Sequence, residues 1–173
     1  LNVLRSGMIA GGAKVVEFEE AFAKFVDADH AVAVNSGTSA LVVGLAASGV
    51  GPGDEVIVPS FTFAATANAV AFLGAKPIFA DVDPETYVIT PETVLPLISE
   101  QTKGIMPVHL FGYPAPLPEL LELATEKGLE LYEDAAQSHG ATVENLTTGA
   151  VGKFAAFSFY PTKNMTTGEG GMI

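Results

Sequence analysis

Four polar segments contain the residue types that could do chemistry. They are Asn35-Ser-Gly-Thr-Ser39, Pro59-Ser-Phe-Thr-Phe63, Glu133-Asp-Ala-Ala-Gln137 and Ser158-Phe-Tyr-Pro-Thr-Lys163. The first segment precedes an apolar helical pattern, and free backbone N–H groups together with the helix dipole favour an anion such as phosphate at that point. Taken alone, the same residues favour an ordinary serine N-cap, because such caps are common.

An acid and a lysine stand out in the other segments. Asp134 ends an apolar stretch, so we expect it at the bottom of a cleft, where it needs a donor or a cation to stay ionised. Its alternative role is to cap the following turn. Lys163 lies among Pro, Thr, Asn and Gly residues. An isolated lysine is usually solvated, but partial desolvation frees the amine as a nucleophile for imine chemistry.

The combination of these groups is more informative than any one of them. A phosphate site, the aromatic side chain of Phe63, a strand-end acid and a loop lysine are the groups that a pyridoxal phosphate enzyme needs. Other motifs do not fit their patterns. The glycine run at 49–53 follows a helix, the segment 149–153 lacks the P-loop spacing, and the three histidines lack metal-ligand spacing. We therefore predict a pyridoxal phosphate site and no metal site.

The elements that position these groups form an alternating pattern. An amphipathic helix is predicted at 15–26, where apolar residues recur at helical spacing. Short apolar strands then alternate with helices. The predicted strands are 31–34, 56–58, 77–80, 104–109, 129–132 and 154–159, and the predicted helices lie near 40–48, 64–73, 90–98 and 118–127. The pattern predicts an α/β fold with a doubly wound, mostly parallel sheet, whose strand carboxyl ends would bring the four segments to one rim.

Composition excludes several classes of function. The 173 residues carry a formal net charge of −12, which argues against nucleic acid or an anionic membrane as partner. Apolar stretches are interrupted well before a membrane-spanning length of about 20 residues. The sequence contains no cysteine, which fits a cytoplasmic location. The length alone predicts one domain.

Several ordered motifs together resemble a known family. The run from Ser158 to Gly171, the segment 133–140 and the segment 35–39 resemble the DegT/DnrJ/StrS family of pyridoxal phosphate-dependent sugar aminotransferases. Segments 59–63, 81–83 and 107–112 are also similar and occur in the same order. The resemblance implies the type I aminotransferase fold, with a seven-stranded mixed sheet and helices on both faces. It also implies a homodimer with active sites shared across the interface.

The resemblance assigns roles to individual residues. Lys163 matches the lysine that binds the cofactor aldehyde covalently, and Asp134 matches the acid that pairs with the pyridine nitrogen. Phe63 matches the aromatic position stacked on the ring, and Gln137 the side chain beside the phenolic oxygen. The remaining matches form the phosphate cradle: Gly37, Thr38, Ser39 and Ser158. Lys163 also argues against the dehydratases of the family, which carry histidine at this position.

The implied activity is transfer of an amino group from an amino acid, glutamate in most relatives, to a keto sugar linked to a nucleoside diphosphate. Residues 1–173 would then form the large cofactor-binding domain, including the helix at 15–26, without the smaller carboxy-terminal domain that closes the substrate site. Such a fragment could itself be inactive. Two alternatives stay open: a pyridoxal phosphate enzyme of another reaction type, and a non-catalytic regulatory or assembly protein that retains the fold.

Overall fold

A computed structural model describes residues 1–173. The helices are α1 (Asn2–Ser6), α2 (Ala13–Val26), α3 (Gly37–Ala47), α4 (Ala65–Phe72), α5 (Pro91–Val94) and α6 (Leu117–Lys127). The strands are β1 (Ala33–Val34), β2 (Glu55–Pro59), β3 (Lys76–Ala80), β4 (Thr102–Ile105), β5 (Glu130–Asp134), β6 (Thr142–Val143), β7 (Leu146–Thr147), β8 (Phe154–Ser158) and β9 (Gly171–Met172). No helix is both long and apolar enough to span a bilayer.

Seven strands form one mixed sheet in the order β1-β9-β8-β5-β4-β2-β3. The pairs from β8 to β3 are parallel, whereas β9 pairs antiparallel with both β8 and β1. The strands β6 and β7 form a separate antiparallel hairpin within the turn-rich segment before β8. The predicted α/β fold with a mostly parallel seven-stranded sheet is confirmed.

Helices cover both faces of the sheet because side chains alternate along each strand. Val56 and Val58 of β2 pack with α3 and α4 in one core cluster. Ile57, between them, packs in a second cluster with residues of α5 and α6. The helix α2 packs beside the second layer through Phe22, which contacts Phe157 of β8 with ring centroids 4.9 Å apart. This double cover explains the near-continuous apolar character of the central strands.

Three local predictions differ from the structure. The stretch 31–34 was expected to be a parallel strand buried on both faces; instead β1 is a half-buried, two-residue strand at the edge of the sheet, antiparallel to β9. The helix predicted near 90–98 ends at Val94 and continues only as one 3₁₀ turn, because Pro96 has no N–H for the helical ladder. The strand β4 ends at Ile105, before Pro107, although the backbone of His109 still pairs with that of Asp134.

Candidate functional site

A cleft of about 440 Å³ lies at the carboxyl edge of the parallel strands. All four segments singled out in the sequence reach it. The lining includes seven of the eight predicted site residues: Gly37, Thr38, Phe63, Asp134, Gln137, Ser158 and Lys163. It also includes Ser36, Thr62, Tyr160, Thr162 and Glu169. The structure thus brings together predicted site residues that lie up to 126 positions apart in the sequence, from Gly37 to Lys163.

The amino terminus of α3 forms one wall of the cleft. Ser36 is the N-cap, and its Oγ accepts a hydrogen bond of 3.1 Å from the backbone N–H of Ser39. The Ser39 side chain is engaged with Ser36 at 3.0 Å and does not line the cleft, so its predicted role in the cradle has no direct geometric support. Ser36 therefore both caps α3 and lines the cleft. The sequence prediction did not include it among the site residues.

Gly37 and Ser158 are in close contact where α3 meets the end of β8. A Cβ atom on Gly37 would lie 2.7 Å from the Ser158 Cβ and 3.2 Å from its Oγ. Gly171 of β9 approaches the same turn, where an added Cβ would lie 2.3 Å from the Ser36 carbonyl oxygen. Glycine is therefore required at both positions to keep the helix terminus, the hydroxyl of Ser158 and the backbone of β9 together.

The carboxylate of Asp134 lies deep in the cleft, at the end of β5. Its Oδ2 accepts a hydrogen bond of 2.7 Å from the hydroxyl of Thr66, and its Oδ1 accepts one of 3.2 Å from the backbone N–H of Ala136. Burial raises the pKa of the Asp134 carboxyl above its ordinary value, although both hydrogen bonds oppose that shift. Thr66 was not predicted from the sequence as a site residue.

The neighbouring carboxylate, Glu133, faces the other side of the sheet. It accepts hydrogen bonds from the backbone N–H groups of Gly149, Val151 and Gly152, at 2.7, 2.9 and 2.7 Å. The Nε2 atom of His109 lies 3.1 Å from it. Desolvation acts to raise the pKa of Glu133, but these donors outweigh it and hold the pKa below its ordinary value.

The proton position on His109 follows from its second contact. The backbone N–H of Ala115 donates to Nδ1 at 3.0 Å, so Nδ1 is an acceptor and Nε2 carries the proton that is donated to Glu133. The histidine is therefore neutral in this arrangement. Together, the pair fixes the loops before α6 and before β8 to the strand that carries Asp134.

Gln137 is oriented by a hydrogen bond at the cleft rim. Its Oε1 accepts a bond of 2.7 Å from the backbone N–H of Phe111, a residue in the left-handed region at φ 56°. Because a backbone N–H can only donate, the amide oxygen must face Phe111, and the NH₂ group of Gln137 is free to donate elsewhere. This contact resolves the amide orientation that sequence reasoning leaves open.

Lys163 is the only cationic side chain that lines the cleft, and the carboxylates there are Asp134 and Glu169. The lysine loop is closed by a hydrogen bond of 2.9 Å from the backbone N–H of Lys163 to the carbonyl of Tyr160. Phe63 stands at the mouth of the cleft with its side chain 71% exposed. A ring inserted between Phe63 and the sheet would cover much of this apolar surface.

The residues present fit pyridoxal phosphate. The helix terminus and Ser158 provide donors for a phosphate, kept free of side-chain bulk by Gly37. Asp134 provides a buried acceptor with a raised pKa, which a protonated ring nitrogen would complement. The single amine of Lys163 lines the same cavity. A phosphate cradle, a buried acid and an amine around one cleft of this size match the groups of the cofactor.

This architecture is that of the pyridoxal phosphate aminotransferases. The solved structure of an aminotransferase from Psychrobacter cryohalolentis superposes with a TM-score of 0.96 at 43% identity, over 99% of this chain and 44% of that one. The chain belongs to the DegT/DnrJ/EryC1/StrS aminotransferase family, whose sequence profile matches residues 1–173. The family assignment expected from the motifs is confirmed.

Two curated relatives carry names that point to different functions. The chain is 48% identical over 162 residues to the GDP-perosamine synthase of Caulobacter vibrioides, covering 94% of this chain and 44% of the relative. It is 44% identical over 173 residues to a protein of Geobacillus stearothermophilus named pleiotropic regulatory protein, covering 99% of this chain and 46% of the relative. The chain thus spans less than half the length of these relatives.

Proposed function

We propose that the protein is a pyridoxal phosphate-dependent aminotransferase that moves an amino group from an amino acid, glutamate in the first instance, to a keto sugar linked to a nucleotide. The observation that carries the proposal is the placement of Asp134, Lys163 and the amino terminus of α3 around one cleft. The name of the Caulobacter relative supports a nucleotide-linked sugar as substrate.

Each residue predicted for the site has a place in this proposal. The backbone at Gly37 and Thr38, with the hydroxyls of Ser39 and Ser158, would hold the phosphate. Phe63 would cover one face of the ring, and the Gln137 NH₂ would donate to the ring oxygen. Ser39 Oγ accepts from Ser36 and keeps its own proton free, but the side chain does not line the cleft and would have to turn toward it to take part.

When bound, pyridoxal phosphate supplies an aldehyde and an electron-withdrawing ring that stabilises negative charge on the adjacent substrate carbon. Asp134 would keep the ring nitrogen protonated by accepting a hydrogen bond from its N–H. The Nζ amine of Lys163 would accept the proton from the substrate α-carbon and return it to the cofactor carbon on the other side of the transferred nitrogen. Lys163 is the only cationic side chain in the cleft, whereas a nucleotide-linked sugar is anionic. We therefore propose that further substrate contacts come from outside residues 1–173.

The domain proposal rests on the length of the relatives, and the assembly proposal rests on what the family resemblance implies. We propose that residues 1–173 form the large cofactor-binding domain of a longer protein, because the curated relatives are more than twice as long as this chain. We also propose a homodimer with shared active sites. Exposed aromatic side chains support a second protein surface packed against this chain: Phe63 at the cleft, and Phe111 and Tyr113 in the loop that contacts Gln137.

The activity is tested on the full-length gene product with glutamate and a keto-sugar nucleotide, by release of 2-oxoglutarate. We expect Lys163→Ala to abolish release. Lys153→Ala is the matched control, because Lys153 is a half-exposed lysine paired with Glu130 on the surface. Release that survives Lys163→Ala would contradict the assignment of the amine.

The name of the Geobacillus relative favours a second candidate, a regulatory protein that retains the fold. The same assay separates the two functions. A wild-type protein that binds pyridoxal phosphate but releases no 2-oxoglutarate with any of a panel of keto-sugar nucleotides would favour the regulatory function.

A further inference from the structure

Thr66 of α4 reaches across the cleft floor to the acid at the end of β5. The residue is fully buried, and its Oγ1 lies 2.7 Å from Asp134 Oδ2. Two other oxygens lie 3.2 Å from the same Oγ1, namely the carbonyl of Phe63 and the hydroxyl of Thr62. Thr62 lines the cleft. The contacts thus form a chain of hydroxyls from the cleft wall to the buried carboxylate.

The Thr66 hydroxyl has only one proton to give, so its acceptors compete. The bond to Asp134 is the shorter one, and a charged acceptor makes the stronger hydrogen bond. Thr66 therefore donates to Asp134 when the carboxylate is ionised. Its lone pairs remain free to accept from the hydroxyl of Thr62.

A protonated Asp134 reverses the direction of this bond. The carboxyl O–H then donates to Thr66 Oγ1, and the threonine proton turns to the Phe63 carbonyl at 3.2 Å. The hydroxyl is satisfied in both states, which matters because a buried polar group without a partner is costly. Thr66 can therefore follow the proton of Asp134 without leaving its site.

We propose that Thr66 is a positioning residue that keeps Asp134 ionised and holds its free lone pairs toward the cleft, with Thr62 as the outer link of the chain. The identity of the cationic N–H that Asp134 would meet there rests on the proposed function. Thr66 itself does not line the cleft.

The support for this proposal is the balance of donors around Asp134. Only Thr66 and the backbone N–H of Ala136 donate to the carboxylate, and burial acts against its charge. Lys163 and His109 are the cationic or titratable side chains that also act on it, through charge and without a hydrogen bond. Removing the Thr66 hydroxyl leaves one neutral donor at 3.2 Å. With one donor fewer, the carboxylate titrates at higher pH. Its orientation toward a cationic partner is also less fixed.

The test compares variants of the full-length gene product. Thr66→Val removes the hydroxyl and keeps the shape, and Thr66→Ser restores it. Thr148→Val is the control, because Thr148 is also fully buried but donates to the carbonyl of Ser138, away from Asp134. Thr66→Ala gives the same comparison if valine perturbs α4. The carboxyl of Asp134 is titrated by carbon NMR without cofactor, with Asp134→Asn assigning the signal.

We expect Thr66→Val to move the titration of Asp134 to higher pH and to weaken binding of added pyridoxal phosphate about tenfold, the cost of one hydrogen bond to a charged group. Thr66→Ser should restore both, and Thr148→Val should change neither. An unmoved titration in Thr66→Val, or failure of serine to restore it, would overturn the proposal. A wild type that binds no pyridoxal phosphate contradicts the proposed function, whereas the cofactor-free titration still decides the role of Thr66.

Discussion

Glu133 and Asp134 are neighbours in β5, yet their carboxylates face opposite sides of the sheet and their pKa values shift in opposite directions. Glu133 is held by four donors, which lower its pKa against the effect of burial. Asp134 has two donors, and burial raises its pKa. Within one strand, Glu133 therefore has a structural role, whereas Asp134 has few donors and can accept from a bound ligand. Different effects of substitution are expected at the two positions.

Asp134→Asn should raise the stability of the cofactor-free protein at neutral pH. A carboxyl whose folded pKa is raised contributes stability below its unfolded value of 3.8 and loses that contribution as pH rises through the folded pKa. Asparagine carries no charge to desolvate, so we expect a gain of about 1 kcal/mol at pH 7 with loss of pyridoxal phosphate binding. Urea unfolding measures the first effect, and a less stable Asn variant would contradict it.

Glu133→Gln should destabilise the protein by about 3 kcal/mol at pH 7, because an amide NH₂ would face donors that now meet a carboxylate oxygen. The folded pKa of Glu133 is lowered, so its contribution is present above the unfolded value of 4.5 and is lost as pH falls through the folded pKa. The variant should therefore lose less stability on acidification than the wild type does.

The matched control for Glu133 is Glu130→Gln in the same strand. Glu130 is partly exposed and pairs with Lys153 at the surface, so we expect a change of at most about 1 kcal/mol. Equal effects of the two substitutions in denaturant unfolding at pH 7 would show that the buried donors do not stabilise the Glu133 carboxylate.

Gly37→Ala should weaken both packing and anion binding at the amino terminus of α3. The new Cβ would lie 2.7 Å from the Ser158 Cβ, so the helix must move away from β8. We expect a loss of about 1–3 kcal/mol in unfolding free energy, as for overpacking of a core. Gly51→Ala, where an added Cβ has open space, is the control. Unchanged pyridoxal phosphate affinity in Gly37→Ala would argue against this helix terminus as the phosphate site.

Tyr132→Phe should stabilise the protein. The Tyr132 hydroxyl is buried without a hydrogen-bond partner, and burial raises its pKa. Removing it relieves a desolvation cost of about 1 kcal/mol without changing the packing against Phe154. Thermal unfolding measures the gain, with Tyr87→Phe as the exposed control. A fall in melting temperature for Tyr132→Phe would indicate that the hydroxyl has a partner.

Local sequence patterns were sufficient for much of this account. The placement of Asp134, Gln137 and Lys163 at one cleft could be predicted because each lies at or soon after the carboxyl end of a strand, and these ends share one rim in a parallel sheet. Thr66 could not, because its bond to Asp134 joins residues 68 positions apart and nothing near Thr66 indicates it. The edge position of β1 was missed for the same reason, since its partner β9 comes from the other end of the sequence.

Ser39 shows that a sequence motif can also indicate a contact that the folded chain does not make. Its motif indicated a phosphate ligand, but in the folded chain its hydroxyl is engaged with the N-cap Ser36, which the motif did not single out. A histidine without metal-ligand spacing predicts packing or hydrogen bonding, but the partner of His109 could not be predicted. Its 3.1 Å contact with Glu133 depends on the tertiary fold. Side-chain contacts across the sheet therefore require the structure.

The central claim is that this cleft holds pyridoxal phosphate through Lys163, and the most direct measurement is to map the attachment site. The full-length gene product is incubated with pyridoxal phosphate, treated with borohydride to make any bond to a lysine Nζ permanent, and digested for mass spectrometry. The account predicts the cofactor mass on the peptide containing Lys163 and on no other lysine peptide. Attachment spread over surface lysines, or none at Lys163, would contradict it.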